Sequence, residues 1–233
     1  MKRSAAPLHR EAAAATQVVP VIAIDGPTAS GKGTVAQRVA RELGFACLDS
    51  GALYRMVGLL ALERGIDLDD GPALAKLAAQ LHPDFRDGQI WIDRRDITAD
   101  IRREDVGRAA SRVAALGPLR SALLDLQRAQ RRAPGLVADG RDMGTVVFPD
   151  AALKVYLQAD VRVRAERRHK QLIEKGYSAN LADLLQTLQE RDQRDQTRDC
   201  SPLAAAKDAK VLDSTALTVE QVVAQVLQWY RNL

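Results

Sequence analysis

Residues 21–34, VIAIDGPTASGKGT, hold the first grouping that could do chemistry: Gly26, four further residues, then Gly31 and Lys32. A phosphate chain is gripped by backbone amides turned inward, which needs glycine wherever a side chain would block the approach, and a lysine adds a point charge. The expected ligands of a nucleoside triphosphate are therefore Gly26, Pro27, Thr28, Ala29, Ser30, Gly31, Lys32, Gly33 and Thr34. Gly33 stands where a magnesium-binding Ser or Thr usually follows the lysine, and Thr34 comes one residue later. A second grouping is Asp139-Gly140-Arg141-Asp142, directly after the apolar Leu136-Val137-Ala138. The third is a set of arginines, Arg55, Arg191, Arg194 and Arg198. Phosphoryl transfer needs alignment and cations on the transferring oxygens more than covalent help. The charged run 191–199 has no apolar anchor. That describes a mobile solvated segment as well as it describes a lid that closes arginines over phosphates and excludes water.

The elements that must position these groups can be read from periodicity. Val21 to Ile24 read as a strand before the loop, and Val35, Val39 and Leu43 recur every four residues as one helical face that Gly44 ends. The positive N-terminus of that helix points at the bound anion. Residues 46–48 read as a second strand, and Asp49 and Ser50 are placed to cap a helix from Ala52 to about Glu63, stopped by Gly65. From 84 to 100, Phe85, an Asp87-Gly88 turn, the alternating Ile90 and Ile92, and Ile97 predict a small antiparallel insert. Helical spacing returns at Val106–Leu116 and, after Gly117-Pro118, at Leu119–Ala129. Residues 136–138, 153–157 and 211–213 are further strands. An arginine-dense helix follows Asp160, a leucine stripe runs from Leu181 to Leu188, and Thr218 with Gln221 has capping-box spacing. Five short apolar strands separated by helices predict an α/β fold, a parallel sheet covered on both faces. Ligands in such sheets bind beyond the carboxyl ends of the strands, which would align 26–32, 49–55 and 139–142 along one edge.

Length and charge set outer bounds. At 233 residues the chain can bury a substantial core as one domain, and no span approaches membrane length. A net charge of +4 suits nucleic acid or a small, highly anionic substrate equally, and decides nothing alone. Cys47 and Cys200 form no CxxC pair, which fits a reducing compartment and argues against a disulfide framework or zinc cluster. His9, His82 and His169 lack metal-ligand spacing, so no metal-ligating residue is assigned. Residues 1–17 are Ala-rich without the uninterrupted apolar core of a secretory signal and are expected to be a disordered tail; their shortness tells against an organellar presequence.

In order, IDGPTASGKGT, DSGALYR, LVADGRDMGTVVFPDA and ERDQRDQTR resemble the bacterial cytidylate kinases, from about Val21 to the end of the chain. The loop alone would not discriminate, whereas DSGALYR together with GRDMGTVVFP is highly specific. The resemblance implies transfer of the γ-phosphoryl group of ATP to CMP or dCMP with magnesium. It also implies one nucleoside monophosphate kinase domain over 18–233, with a monophosphate-binding segment at 50–112, its insert around 84–100, and a lid at 190–203. GKGT is a common ending in such kinases, which removes the oddity of Gly33 and leaves the protein ligands of magnesium unassigned.

Carried onto this sequence, the resemblance makes Lys32 the β,γ-phosphate ligand and Arg55 and Arg141 the clamp on the CMP phosphate. Ser111, Arg120 and Asp142 match positions that read cytosine. Ser50, Arg191 and Asp195 match positions near the sugar, with Arg198 reaching in from the lid. Gly51, Tyr54, Asp139 and Gly140 complete the acceptor set, Lys32, Arg141 and Arg198 are the catalytic cations, and Arg164 and Arg168 match the pair serving adenine and phosphates. The chemistry agrees at Asp142: cytosine offers an exocyclic amine where uracil offers an oxygen, so a carboxylate attracts one and repels the other. Such a charge-assisted bond is worth about 1.5 to 3 kcal/mol.

Two other classes compete. GPTASGK also resembles the loop of tRNA prenyltransferases, but GRDMGTVVFP does not align with them and no extra RNA-gripping domain is evident. A nucleotide-gated switch would need an Asn-Lys-x-Asp guanine reader, and Asn180 and Asn232 are each followed by leucine. The partners expected are therefore small nucleotides, with no nucleic acid or membrane, and a monomer in the cytoplasm.

Overall fold

The computed structural model describes residues 18–86, 89–174 and 176–233. The tail at 1–17 and the Asp87-Gly88 turn lie outside the described residues. β1 (Val21–Asp25) is buried on both faces because it lies at the centre of a five-stranded parallel sheet. The other strands are β2 (Ala46–Asp49), β6 (Leu136–Gly140), β7 (Leu153–Gln158) and β8 (Lys210–Asp213), in the order β2-β6-β1-β7-β8. Alternate side chains of one strand serve two cores. Val21 and Ala23 join Leu48, Leu136 and Ala138 on one face, and Ile22 and Ile24 join Val137, Leu153 and Val155 on the other. That double burial is why the strand sequences read as continuous apolar runs.

α1 (Lys32–Leu43) and α8 (Val219–Arg231) cover the second face. The first face is covered by α2 (Ser50–Arg64), α4 (Glu104–Val113) and α5 (Gly117–Arg128), with α2 packed on α4. Asp49 caps α2 by accepting from Ala52 N at 3.1 Å, and Gly65 closes it in the left-handed conformation. The expected capping box at Thr218 and Gln221 is formed. α3 (Gly71–Ala79), packed on α5, was not anticipated; it is nine residues long and carries only Leu74 and Leu77 as large apolar anchors among alanines. The predicted insert is a three-stranded antiparallel sheet of β3 (Pro83–Arg86), β4 (Gln89–Ile92) and β5 (Arg95–Asp96).

After α6 (Val161–Glu174), α7 (Leu181–Thr197) carries the leucine stripe and continues through most of the charged run. That run is helical to Thr197, not a loop, and its spacing turns Asp195 inward, where it is buried. Register then fixes the functional edge. β1 pairs with β6 so that Asp25 lies beside Gly140, and β2 pairs with β6 so that Asp49 lies beside Asp139. The three predicted groupings thus meet at one end of the sheet, as the rule for parallel sheets requires. Both cysteines are free. Among the described residues no helix is long and apolar enough to cross a membrane.

Candidate active site

The loop between β1 and α1 is shaped by close approach. A Cβ on Gly26 would lie 2.0 Å from the carbonyl oxygen of Leu157, so only glycine fits there. Lys32 heads α1 and is buried; its Nζ donates to the carbonyl of Pro27 at 3.0 Å and lies 4.0 Å from Asp139 Oδ1. Burial, reinforced by Arg141, holds the Lys32 amine below the usual lysine range. Burial likewise raises the Asp139 carboxyl above the usual carboxylate range, against the pull of Lys32. Gly33 has a specific reason: a Cβ there would fall 2.9 Å from Asp139 Oδ2. The carboxylate occupies the space a serine or threonine would need, and Thr34 faces outward and is exposed. Arg164 braces the loop from behind, donating to the carbonyls of Thr28 at 3.0 Å and Ala159 at 2.9 Å while paired with Asp192.

Opposite the loop, a cleft of about 170 Å³ is lined from α2, α4, α5, the end of β6 and α7. Arg141 spans it: Nη2 donates to Thr28 Oγ1 at 2.6 Å, Nε to Asp195 Oδ2 at 3.0 Å, and Nη1 to its neighbour Gly140 O. Arg141 is thereby fixed between the loop and α7. Arg55 donates to Ile101 O at 2.7 Å. Deeper in, Arg120 pairs with Asp142, donates to Ala114 O at 2.9 Å, and lies over the ring of Tyr54. Burial pushes the Tyr54 phenol up to about 12, keeping it protonated. Asp25, at the end of β1, accepts from Met143 N and Gly144 N, each at 2.8 Å, and so fastens the turn that follows Asp142.

The charge inventory points to an anionic ligand. Six cationic side chains (Lys32, Arg55, Arg120, Arg141, Arg191, Arg198) line the cleft against four carboxylates (Asp49, Asp139, Asp142, Asp195). Burial and then the neighbouring Arg141 lower Arg191 to about 10, and burial followed by Arg120 lowers Arg198. Arg191 Nε and Arg198 Nη2 are buried donors without a protein acceptor. A buried N–H left without an acceptor is costly, and phosphate or sugar oxygens are the groups that would relieve both deficits.

The structure brings together every acceptor-side residue expected from the sequence: Ser50, Gly51, Tyr54, Arg55, Ser111, Arg120, Asp139, Gly140, Arg141, Asp142, Arg191, Asp195 and Arg198. Of the loop, Thr28, Ala29 and Lys32 reach the same cleft, while Gly26, Pro27, Ser30, Gly31, Gly33 and Thr34 stand behind them. Arg164 and Arg168 stand outside the lining. The first is occupied by the loop and Asp192, and the second is paired with Glu104 at the start of α4. Sequence reasoning placed Asp49 on the ligand edge, as a helix cap, without assigning it to the site, and missed Ala110 and Ala114 as lining residues and Asp25 as the anchor behind Asp142. Asp49 carried a signal, since a strand-end carboxylate beside Asp139 in the register shares its edge. The alanines carried none.

Comparison with known proteins follows the same motifs. The family model described as cytidylate kinase matches residues 22–232. A protein of Paraburkholderia phymatum named cytidylate kinase is 60% identical over 214 residues, covering 92% of this chain and 94% of that protein. One of Burkholderia vietnamiensis, with the same name, is also 60% identical over the same shares. Among solved structures, an uncharacterized protein from Eubacterium ventriosum superposes with a TM-score of 0.52 over 92% of this chain and 99% of that one. At 9% identity that likeness concerns the fold alone. Neither a prenyltransferase nor a guanine-reading switch accounts for a match that begins in β1 and runs through α8.

Proposed function

The chain belongs to the cytidylate kinase family, and on that premise we propose that its cleft transfers the γ-phosphoryl group of ATP to CMP and dCMP. The observation that carries the reading is the meeting, in one cleft, of the loop lysine, the arginine excess and the Arg120–Asp142 pair. The loop from Gly26 to Thr34 holds the donor triphosphate, with Lys32 on the β,γ-phosphates. Arg55 and Arg141 take the acceptor phosphate, Arg191 and Asp195 the sugar, and Ser111, Arg120 and Asp142 the base. Arg141, bonded to both Thr28 and Asp195, stands between donor and acceptor and is the natural holder of the transferring group's charge. Fixing both nucleotides supplies the alignment that this chemistry mainly requires.

In this reading residues 50–112 form the monophosphate-binding segment and 190–203 the lid. Arg198 supports the lid role, because its Nε donates to Ser201 O at 2.6 Å while a second nitrogen is left for a phosphate oxygen. Arg164 keeps the loop in shape rather than touching adenine.

The residues present fit a magnesium ion that arrives with the nucleotide. Among the described residues no group of three or more His, Cys, Asp or Glu could hold a metal unaided. Asp49 and Asp139 nevertheless line the cleft beside Lys32, and kinases commonly hold magnesium by one or two carboxylates plus phosphate oxygens. When bound, the ion would neutralise charge on the triphosphate. We place the protein in the cytoplasm as a monomer acting on small nucleotides, without nucleic-acid or membrane partners.

The test is a coupled assay of ADP formation from Mg-ATP with CMP, dCMP, UMP, AMP or tRNA as the added acceptor. Formation that requires CMP or dCMP is expected. ADP release that is the same without an acceptor, or that follows tRNA, would overturn the reading.

A further inference from the structure

Ser111 on α4 and Arg194 on α7 are joined across the cleft: Arg194 Nη1 donates to Ser111 Oγ at 2.8 Å. Ser111 lines the cleft and is 5% exposed. Arg194 is exposed and outside the lining; its hydrogen bond into the site is this one, and its charge is also felt by Arg191. A hydroxyl has one proton to give and two lone pairs to receive with. The guanidinium occupies one lone pair and, being cationic, polarises the O–H bond, which makes the hydroxyl a better donor and a poorer acceptor. No acceptor for the Ser111 proton is found among the described residues, so that proton is available to a ligand.

The two pyrimidines answer a donor differently. Cytosine presents an unprotonated ring nitrogen, N3, beside its carbonyl, whereas uracil carries a proton on N3. A hydroxyl held as a donor suits the first and opposes the second. We propose that Arg194 is a positioning residue for base selection: by bonding to Ser111 it sets the direction of the serine hydroxyl and so favours cytosine over uracil. This rests on the assignment of Ser111 to the base side of the acceptor site. It adds a discriminating element at N3 to the carboxylate of Asp142, which faces the exocyclic amine.

The experiment measures kcat/KM for CMP and for UMP in the wild type, Arg194→Ala, Arg194→Lys, Ser111→Ala and the Ser111→Ala/Arg194→Ala double variant. Arg194→Ala is expected to lower the CMP:UMP ratio by about three- to tenfold, the size of one partly exposed charge-assisted bond. Arg194→Lys should recover part of it. On the Ser111→Ala background the second change should add little to the ratio, because the two act as one unit. An equal fall for both nucleotides in Arg194→Ala would overturn the proposal and leave Arg194 a general electrostatic or lid residue. If Ser111→Ala lowers the ratio and Arg194→Ala does not, the inference fails while the base-side assignment of Ser111 stands. If Ser111→Ala leaves the ratio unchanged, that assignment fails and takes the inference with it.

Discussion

On the proposed reading, residues 26–34 form a donor loop and the residues around Arg120, Asp142 and Arg191 an acceptor wall, and the two are made of different material. The loop is one contiguous stretch in which backbone geometry does the work: Gly26 admits the carbonyl of Leu157, and a single buried lysine supplies the charge. The wall is assembled from side chains of distant segments, held by pairs such as Arg120 with Asp142 and Arg141 with Asp195, the latter 54 residues apart. A site made of backbone accepts any phosphate chain, since every nucleotide has one. A site made of paired side chains can select, since each pair presents a particular pattern of donors and acceptors. If these roles hold, generic binding and specific reading are separated in space, and substitutions on the two sides should fail in different ways.

Lys32→Ala should break the donor side most severely. Loss of the loop charge is expected to lower kcat by about 10² to 10³, the scale seen when one preorganised group that stabilises transition-state charge is removed. CMP affinity measured by calorimetry should change little. A turnover that survives within a few-fold would mean that donor phosphates are held elsewhere.

On the acceptor side the corresponding change is Asp142→Asn. Alanine would also erode the choice of CMP over UMP, but it would leave the buried Arg120 guanidinium without its partner, adding a penalty of fold to one of recognition. Asparagine keeps an oxygen for Arg120 and changes what the base meets. The expected result is a fall of roughly ten- to a hundredfold in the kcat/KM ratio of CMP to UMP, with the KM for ATP nearly unchanged. A simultaneous rise in the KM for ATP would show that the two sides are not independent.

The same contrast explains what could be read in the sequence. The loop was legible because its glycines and lysine are neighbours in the chain, and the central strands because burial on both faces leaves unbroken apolar runs. The wall was not legible from local pattern. Nothing near Arg120 announces Asp142, and nothing near Ser111 announces Arg194, 83 residues on; residues 139–142 and the arginines stood out by position and charge, but Ser111, Arg120 and the division of roles were reached through resemblance. The charged run 191–199 fits a solvated segment as well as a lid because its residues are polar, and the pattern alone does not show that a helix turns Asp195 inward, where it is buried. Helix α3 escaped notice because alanine carries little periodic signal. Asp25 escaped because a carboxylate at the edge of a glycine turn reads as a surface residue, and its two backbone donors come from more than a hundred residues away.

Asp25 offers a test of how firmly the two regions are fastened. It ends β1 beside the loop and holds the turn after Asp142 beside the wall. Burial raises its pKa from 3.8 to about 6, although the amides of Gly144 and Met143 pull the other way. A carboxyl group whose folded value is raised binds its proton more tightly in the folded state. Its contribution to stability is therefore fully present below about pH 4 and is lost as pH rises through 6. Asp25→Asn removes the titration. In urea unfolding, the stability of the wild type minus that of the variant should fall by about 2 kcal/mol between pH 4 and pH 7. A difference that stays constant over that range would show that Asp25 does not titrate there.

Gly33→Ser asks for the smallest change and bears most directly on the boundary between the regions. The substitution restores the residue type that many phosphate-binding loops carry after their lysine, so a reading from the loop alone predicts unchanged or improved donor binding. The structure predicts the opposite. The new Cβ would fall 2.9 Å from Asp139 Oδ2, and Asp139 is held in β6 with its other oxygen 4.0 Å from Lys32. Because the contact is with the end of a side chain, the carboxylate can give by a few tenths of an ångström, at a cost of about 1 kcal/mol. That displacement weakens the surroundings of Lys32 and leaves the Arg120–Asp142 pair alone. The KM for ATP should rise by about three- to tenfold, with the CMP:UMP ratio as in the wild type. A KM for ATP at or below the wild-type value would show that Asp139 moves freely and that Gly33 is set by the loop itself. A shifted CMP:UMP ratio would show instead that a disturbance at Asp139 travels along β6 to Asp142, joining the generic side of the site to the selective one.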